Sequence, residues 1–150
     1  MDAEVYPDPR VAAYVSENFI PVKIHIKEQP ETFKRFGAQW TPTMAVLDPE
    51  GTKRHQFEGY LPAEEFLAQL ELGLAQRAFA HEQWGEAQER FRRIVQQFPK
   101  SDAAPQALYW AGVAKYKASG DASALADTAR QFKQKYPESV WAKKSSVWAA

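Results

Sequence analysis

The stretch Gly37–Phe66 constrains this chain more than any other. Its run Met44-Ala45-Val46-Leu47 is short and apolar, bounded by Pro42 on one side and by Asp48-Pro49-Glu50-Gly51 on the other. A run of that length between turn signals predicts a strand covered on both faces. Pro49 presets the backbone for the second position of a turn and Gly51 follows it, so the chain should reverse tightly here. Lys53–Glu58 is more polar and is expected to return as an edge strand. Pro62 then opens a helix. Proline lacks the amide hydrogen that a first turn leaves unpaired, and Glu64 and Glu65 face the positive end of the helix dipole. The stretch reads strand, turn, strand, helix.

Upstream, Met1–Tyr6 reads as a turn or the tail of a helix. Asp8 before Pro9 predicts a capped helix running to about Asn18, with Val11, Ala12 and Val15 on one face. From Phe19 to Ile26, Ile20, Val22, Ile24 and Ile26 alternate with Pro21, Lys23 and His25, the pattern of a strand, and Pro21 places that strand at a sheet edge. Glu31–Phe36 is expected as a short helix closed by Gly37.

Downstream the spacing becomes helical. Phe66, Leu67, Leu70, Leu74 and Ala78 share a face, and two helix pairs are predicted, about 66–82 with 85–97 and about 104–118 with 122–136. The pairs repeat: Arg93–Ser101 is echoed, with one extra residue, by Arg130–Ser139, and Pro99 and Pro137 stand 38 residues apart. A last helix, about 139–148, carries Val140, Trp141, Val147 and Trp148 at heptad spacing. It is expected to cap the array, since a terminal repeat otherwise exposes an apolar face; a contact surface for a partner is the alternative.

The element order around Thr41-Pro42, with Asp48-Pro49-Glu50-Gly51 and Glu58-Gly59-Tyr60 following, resembles the C-terminal half of the thioredoxin fold over about residues 1–76. That resemblance implies a cis proline at Pro42, with Thr41 and Trp40 beside it, in a cleft offering backbone to an extended protein or peptide. Further on, Trp84, Ala87, Phe91 and Pro99 fall at the signature spacing of tetratricopeptide repeats, whose period is roughly 34 residues. Leu108, Gly112, Gly120 and Pro137 follow it less cleanly, with Ala129 where a large aromatic is usual and Lys115 where a tyrosine often lies. The implied fold is α/β plus all-α. An incomplete thioredoxin-like domain covers residues 1–75. A tetratricopeptide-like antiparallel helical array of about two repeats plus a capping helix covers 66–150, sharing the connecting helix.

The family's first strand and its Cys-x-x-Cys helix have no counterpart in these residues. In the family's sheet that strand lies between those matching residues 20–26 and 43–48. Its absence should leave two apolar strand edges apart, and each unsatisfied buried backbone group costs about 1–3 kcal/mol. The first expectation is that Met1 is internal to a longer protein. The others are a strand taken from another molecule, giving a homodimer through unpaired strand edges, or a redox-dead relative.

The chain has no cysteine, which excludes disulfides, thiolate catalysis and cysteine-ligated zinc in these residues. Lys and Arg number 19, as do Asp and Glu, but residues 1–75 carry 7 basic and 12 acidic side chains and residues 76–150 the reverse. The basic residues are scattered through helices with no nucleic-acid motif, so no nucleic-acid partner is expected. No apolar run is long enough for a membrane span. No signal-peptide pattern is visible, which makes the cytoplasm the expected location, a leader ahead of Met1 being compatible.

His25, His55 and His81 are far apart without ligand spacing, and no phosphate loop, nucleophile elbow or calcium loop is present, so no metal, cofactor or catalytic residue is expected. Gln76, Phe79, Tyr109, Tyr116 and Lys117 lie on the inner helices of the pairs, where they serve either as core or as the lining of a peptide groove. Two functions follow: a protein- or peptide-binding module that is non-catalytic as given, or a thiol-disulfide oxidoreductase whose longer form carries Cys-x-x-Cys upstream of Met1.

Overall fold

The computed structural model describes residues 1–149. Met1–Tyr6 is a turn in which the Val5 and Tyr6 amides donate to the Met1 carbonyl. The Asp8 carboxylate caps α1 (Pro9–Asn18), accepting from the Arg10 amide at 2.9 Å. Then come α2 (Pro30–Arg35), β1 (Thr43–Leu47) and β2 (Lys53–Glu58). Five helical elements follow: α3 (Ala63–Ala80), α4 (Trp84–Gln97), α5 (Ala103–Ser119), α6 (Ser123–Lys135) and α7 (Val140–Ser145), the last continued by a 3₁₀ turn over Ser146–Trp148. The sheet is one antiparallel hairpin, with Met44 opposite Phe57 and Val46 opposite His55. Gly51, at φ 87°, takes the left-handed conformation that its turn requires.

The helix α3 organises both halves. Phe66, Leu67 and Leu70 join Val5, Val11 and Val46 in one core, while Ala68, Leu72, Ala75 and Ala78 join Ala87, Phe91, Ile94, Ala107, Leu108 and Phe132 in another. A helix apolar nearly all round must be buried nearly all round. α3 accordingly packs against α1, β1 and β2 on one side and α4 and α5 on the other. In the second core, Ala124, Thr128 and Phe132 follow Ala87, Phe91 and Val95 at a constant offset of 37 residues. Thr128, rather than Ala129, therefore stands where Phe91 does. Gly112 makes this possible: with no side chain, it lets α5 approach α6 so closely that a Cβ would lie 2.8 Å from the Thr128 Cβ.

Several expectations for the front half change. Residues 19–26 carry a strand's alternation but enter no ladder; Ile20 is 92% and Val22 74% exposed. A strand needs a neighbour to satisfy its backbone, and none is present among the described residues. Pro21 is consequently not at a sheet edge. β1 is covered on one face only, for Val46 is buried against α3 whereas Ala45 and Leu47 are exposed. In α1, Val11 is buried and Val15 half-buried, but Ala12 faces solvent. The last helix is shorter than its apolar spacing implies: Ser139 caps α7, and Val140 and Val147 point outward while Trp141 and Trp148 point in.

Gly73 marks the tightest approach of α3 to the hairpin. A Cβ there would lie 2.6 Å from Val46 Cγ2 and 2.9 Å from Val46 Cβ. Alanine would gain about 1 kcal/mol of helix propensity, but forcing a methyl into a filled contact costs typically about 1–3 kcal/mol. Because Val46 is itself buried and cannot swing aside, Gly73→Ala should be destabilising in urea titrations. Adding Val46→Ala should recover part of the loss, as contacting residues are coupled.

Candidate interaction site

The residues expected to line a groove sit on two helices. Gln76 and Phe79 lie near the C-terminus of α3, and Tyr109, Tyr116 and Lys117 on α5. Phe79 is enclosed by rings: its centroid lies 5.0 Å from Trp84, 5.1 Å from Trp110 and 6.4 Å from Phe91, all edge-on. Tyr109 contacts Trp110 at 5.4 Å and Trp141 at 5.1 Å, and stacks on Trp148 at 4.6 Å. These offset and edge-to-face arrangements are the ones ring quadrupoles favour. Together they make a continuous aromatic row from Trp84, through Phe79, Trp110 and Tyr109, to Trp141 and Trp148.

Phe91 is fully buried, but each member of the row is half-buried, so it keeps part of its surface toward water. Lys117 reaches the row, with its Nζ 6.0 Å from the Trp84 ring centre. Tyr116 is exposed and makes no ring contact among the described residues, and Gln76 is half-buried on α3. The groove residues are thus only partly brought together. Trp110, which links Phe79 to Tyr109, escapes a reading by helical spacing because it adjoins Tyr109 and belongs to a neighbouring stripe.

Trp40, Thr41 and Pro42 lead into β1. The Thr41–Pro42 peptide is cis. The Gly59 amide donates to the Pro42 carbonyl at 2.8 Å, and the Thr43 hydroxyl donates to the Trp40 carbonyl at 2.5 Å. The loop is held from both sides while Trp40, 67% exposed, and Thr41 stay open to solvent. This surface offers an indole face and backbone polar groups.

Two buried carboxylates were not visible in the sequence as sites. Asp48, read as a turn residue, accepts from Arg54 Nε at 2.6 Å and Arg77 Nε at 3.1 Å, with His81 Nε2 at 3.2 Å. Burial alone would raise its carboxyl. The hydrogen bonds from Arg54 and His81, with the positive charge beside it, outweigh that and hold it below the ordinary carboxylate range. Glu71 accepts from the Tyr14 hydroxyl and from Arg90 Nη1 at 3.2 Å, with Arg93 Nη1 at 3.6 Å. It lies on the stripe Leu67–Glu71–Leu74, and a charge on an apolar stripe was the available signal. Burial, then the Glu71 charge, push the Tyr14 phenol up. Among the described residues no group of three His, Asp or Glu is placed to hold a metal ion.

His55 gives a pH prediction. Its Nε2 lies 2.7 Å from Gln69 Oε1, and burial lowers its pKa more than that bond raises it. The native state therefore binds fewer protons than the unfolded one below the unfolded value near 6.5. Its contribution to stability should be complete above about pH 6.5 and fall as the pH drops toward the folded value. Asp48, shifted down, adds a second loss only below its unfolded value, about pH 4. Urea midpoints between pH 7.5 and 5 should fall for the native sequence, and fall less for His55→Asn.

Compared with protein-family models, residues 1–74 match a thioredoxin-like domain, and residues 67–101 and 106–139 match the tetratricopeptide repeat. Comparison with curated proteins and with solved structures finds no match. Tetratricopeptide repeats generally mediate protein–protein interaction. The chain is a thioredoxin-like domain continued into tetratricopeptide repeats.

Proposed function

We propose that this chain is a protein-binding module in which the repeats hold an extended peptide against the aromatic row, with the thioredoxin-like part acting without redox chemistry. The half-buried row from Trp84 to Trp148 carries this reading. Rigid rings with one side toward water provide contact area at low entropic cost. Lys117, at one end of the row, would add a charge contact, and Tyr116 beside it an exposed ring. Trp40, Thr41 and Pro42 would offer a second, backbone-based contact. The absence of cysteine supports a non-catalytic role, since dithiol exchange needs a thiolate.

The test is selection of peptides from a displayed random library on the intact chain, followed by calorimetric titration. Micromolar peptides are expected, weakened about tenfold, or roughly 1.4 kcal/mol, by Tyr116→Ala with Lys117→Glu at unchanged Tm. Peptides indifferent to that pair and to Trp110→Ala would sink the proposal. An insulin-reduction assay should stay at the buffer baseline, and turnover above it would overturn the non-catalytic part.

A further inference from the structure

Trp141 belongs to more than the aromatic row. Its ring is also one wall of an open cleft of about 640 Å³, formed where the α4–α5 loop meets the α6–α7 loop. The Tyr136 hydroxyl donates to the Pro99 carbonyl at 2.7 Å and fastens one loop to the other. Pro99, Pro105 and Trp141 give the cleft apolar walls, and a proline has no side-chain freedom to lose when it is covered. The volume falls within the range of sites that enclose small ligands, so a large side chain has room there. Lys100 and Lys135, both exposed, stand in the same lining, with Asp102 as its one acid.

The positive charge around the cleft is not compensated within the chain. Residues 103–150 carry seven basic and three acidic side chains. Among the described residues, Arg130 with Asp127 is the one ion pair in that stretch, and neither its six lysines nor Lys100 has an acidic partner. Lys144 lies over Trp141, its Nζ 4.1 Å from the ring centre, as Lys117 lies over Trp84 at the far end of the row. We propose that the cleft anchors a large apolar side chain from an acidic segment of a protein partner, whose carboxylates meet Lys100, Lys135 and Lys144. This names the partner for the aromatic row, and it rests on the reading of that row as a peptide site. Charge complementarity selects the occupant. A neutral segment would leave the lysines facing one another unneutralised, and a purely anionic polymer would leave the apolar hollow unfilled.

Fluorescence-anisotropy titrations of short labelled peptides on the intact chain test this. One probe has a central phenylalanine among several acids. A second replaces the acids with their amides, and a third keeps the acids but has alanine for phenylalanine. At physiological salt the first should bind about tenfold more tightly than either of the others. Lys100→Glu with Lys135→Glu should weaken the first probe about tenfold at unchanged Tm. Arg92→Glu with Lys115→Glu changes the net charge equally at exposed positions outside the cleft. That pair should shift the affinity by less than about twofold, since salt screens distant charges. Equal binding of the first two probes would overturn the inference, as would indifference to the phenylalanine or to the Lys100 and Lys135 changes. An equal loss from the Arg92 and Lys115 changes would do the same, and so would no binding by any probe. A library-selected peptide that is weakened by Trp110→Ala but not by the Lys100 and Lys135 changes would overturn the cleft alone and leave the row standing.

Discussion

Phe91→Ala should lower stability by about 4 kcal/mol, the largest single loss expected from an apolar truncation in this protein. Phe91 is 0% exposed at the centre of the repeat core, in contact with Phe79 and clustered with Leu72, Ile94, Ala107 and Leu108. Truncation removes the transfer free energy of a full ring and leaves a void that α3, α4 and α5, each fixed by further contacts, can close only in part. Much of the surrounding packing is alanine, which has no rotamer through which to move into the gap. In a chain of this length the loss corresponds to roughly 10 °C in Tm. Calorimetry would show it, and a fall of only 1–2 °C would mean that the site collapses freely.

Glu71→Ala should cost about 3 kcal/mol, through hydrogen bonds to a charged group rather than through volume. The carboxylate is 3% exposed and serves Tyr14 on α1 and Arg90 and Arg93 on α4 at once. Its removal leaves those groups short of a partner. Arg90 keeps Glu86 at 3.1 Å, which limits the cost. Tyr14→Phe should cost less alone and add little once Glu71 is gone. Urea titrations of the two single variants and the double variant would measure that coupling, and simple additivity would mean that the Tyr14 bond contributes nothing.

What could be read in advance divides by the range of the interaction responsible. The helix pairs were legible because the 3.6-residue period of Phe66, Leu67, Leu70, Leu74 and Ala78 is a local property, and the cap that Asp8 gives α1 likewise acts within a few residues. The turn at Asp48-Pro49-Glu50-Gly51 was legible for the same reason. Residues 19–26 show the opposite case: their alternation says what the segment could pair as, and nothing in it says whether a neighbour exists. The run Met44–Leu47 has the composition of a strand buried on two faces, but only one face is covered, by α3 together with the N-terminal turn and α1. At the candidate site, Tyr109 and Phe79 could be named from their helices. Their junction through Trp110, and the gathering of Arg54, Arg77 and His81 on Asp48, depend on how distant segments meet.

The continuity of α3 has a mechanical consequence. A helix of 18 residues with packed surfaces along its length has no linker in its middle, so nothing there can act as a swivel. A pull applied to the repeats would reach the hairpin through an unbroken shaft of hydrogen-bonded backbone, and the two ends could change their relative tilt only by bending that shaft. The molecule should therefore carry whatever it grips at one end in a fixed bearing to whatever it meets at the other, as a bracket does and a tether does not.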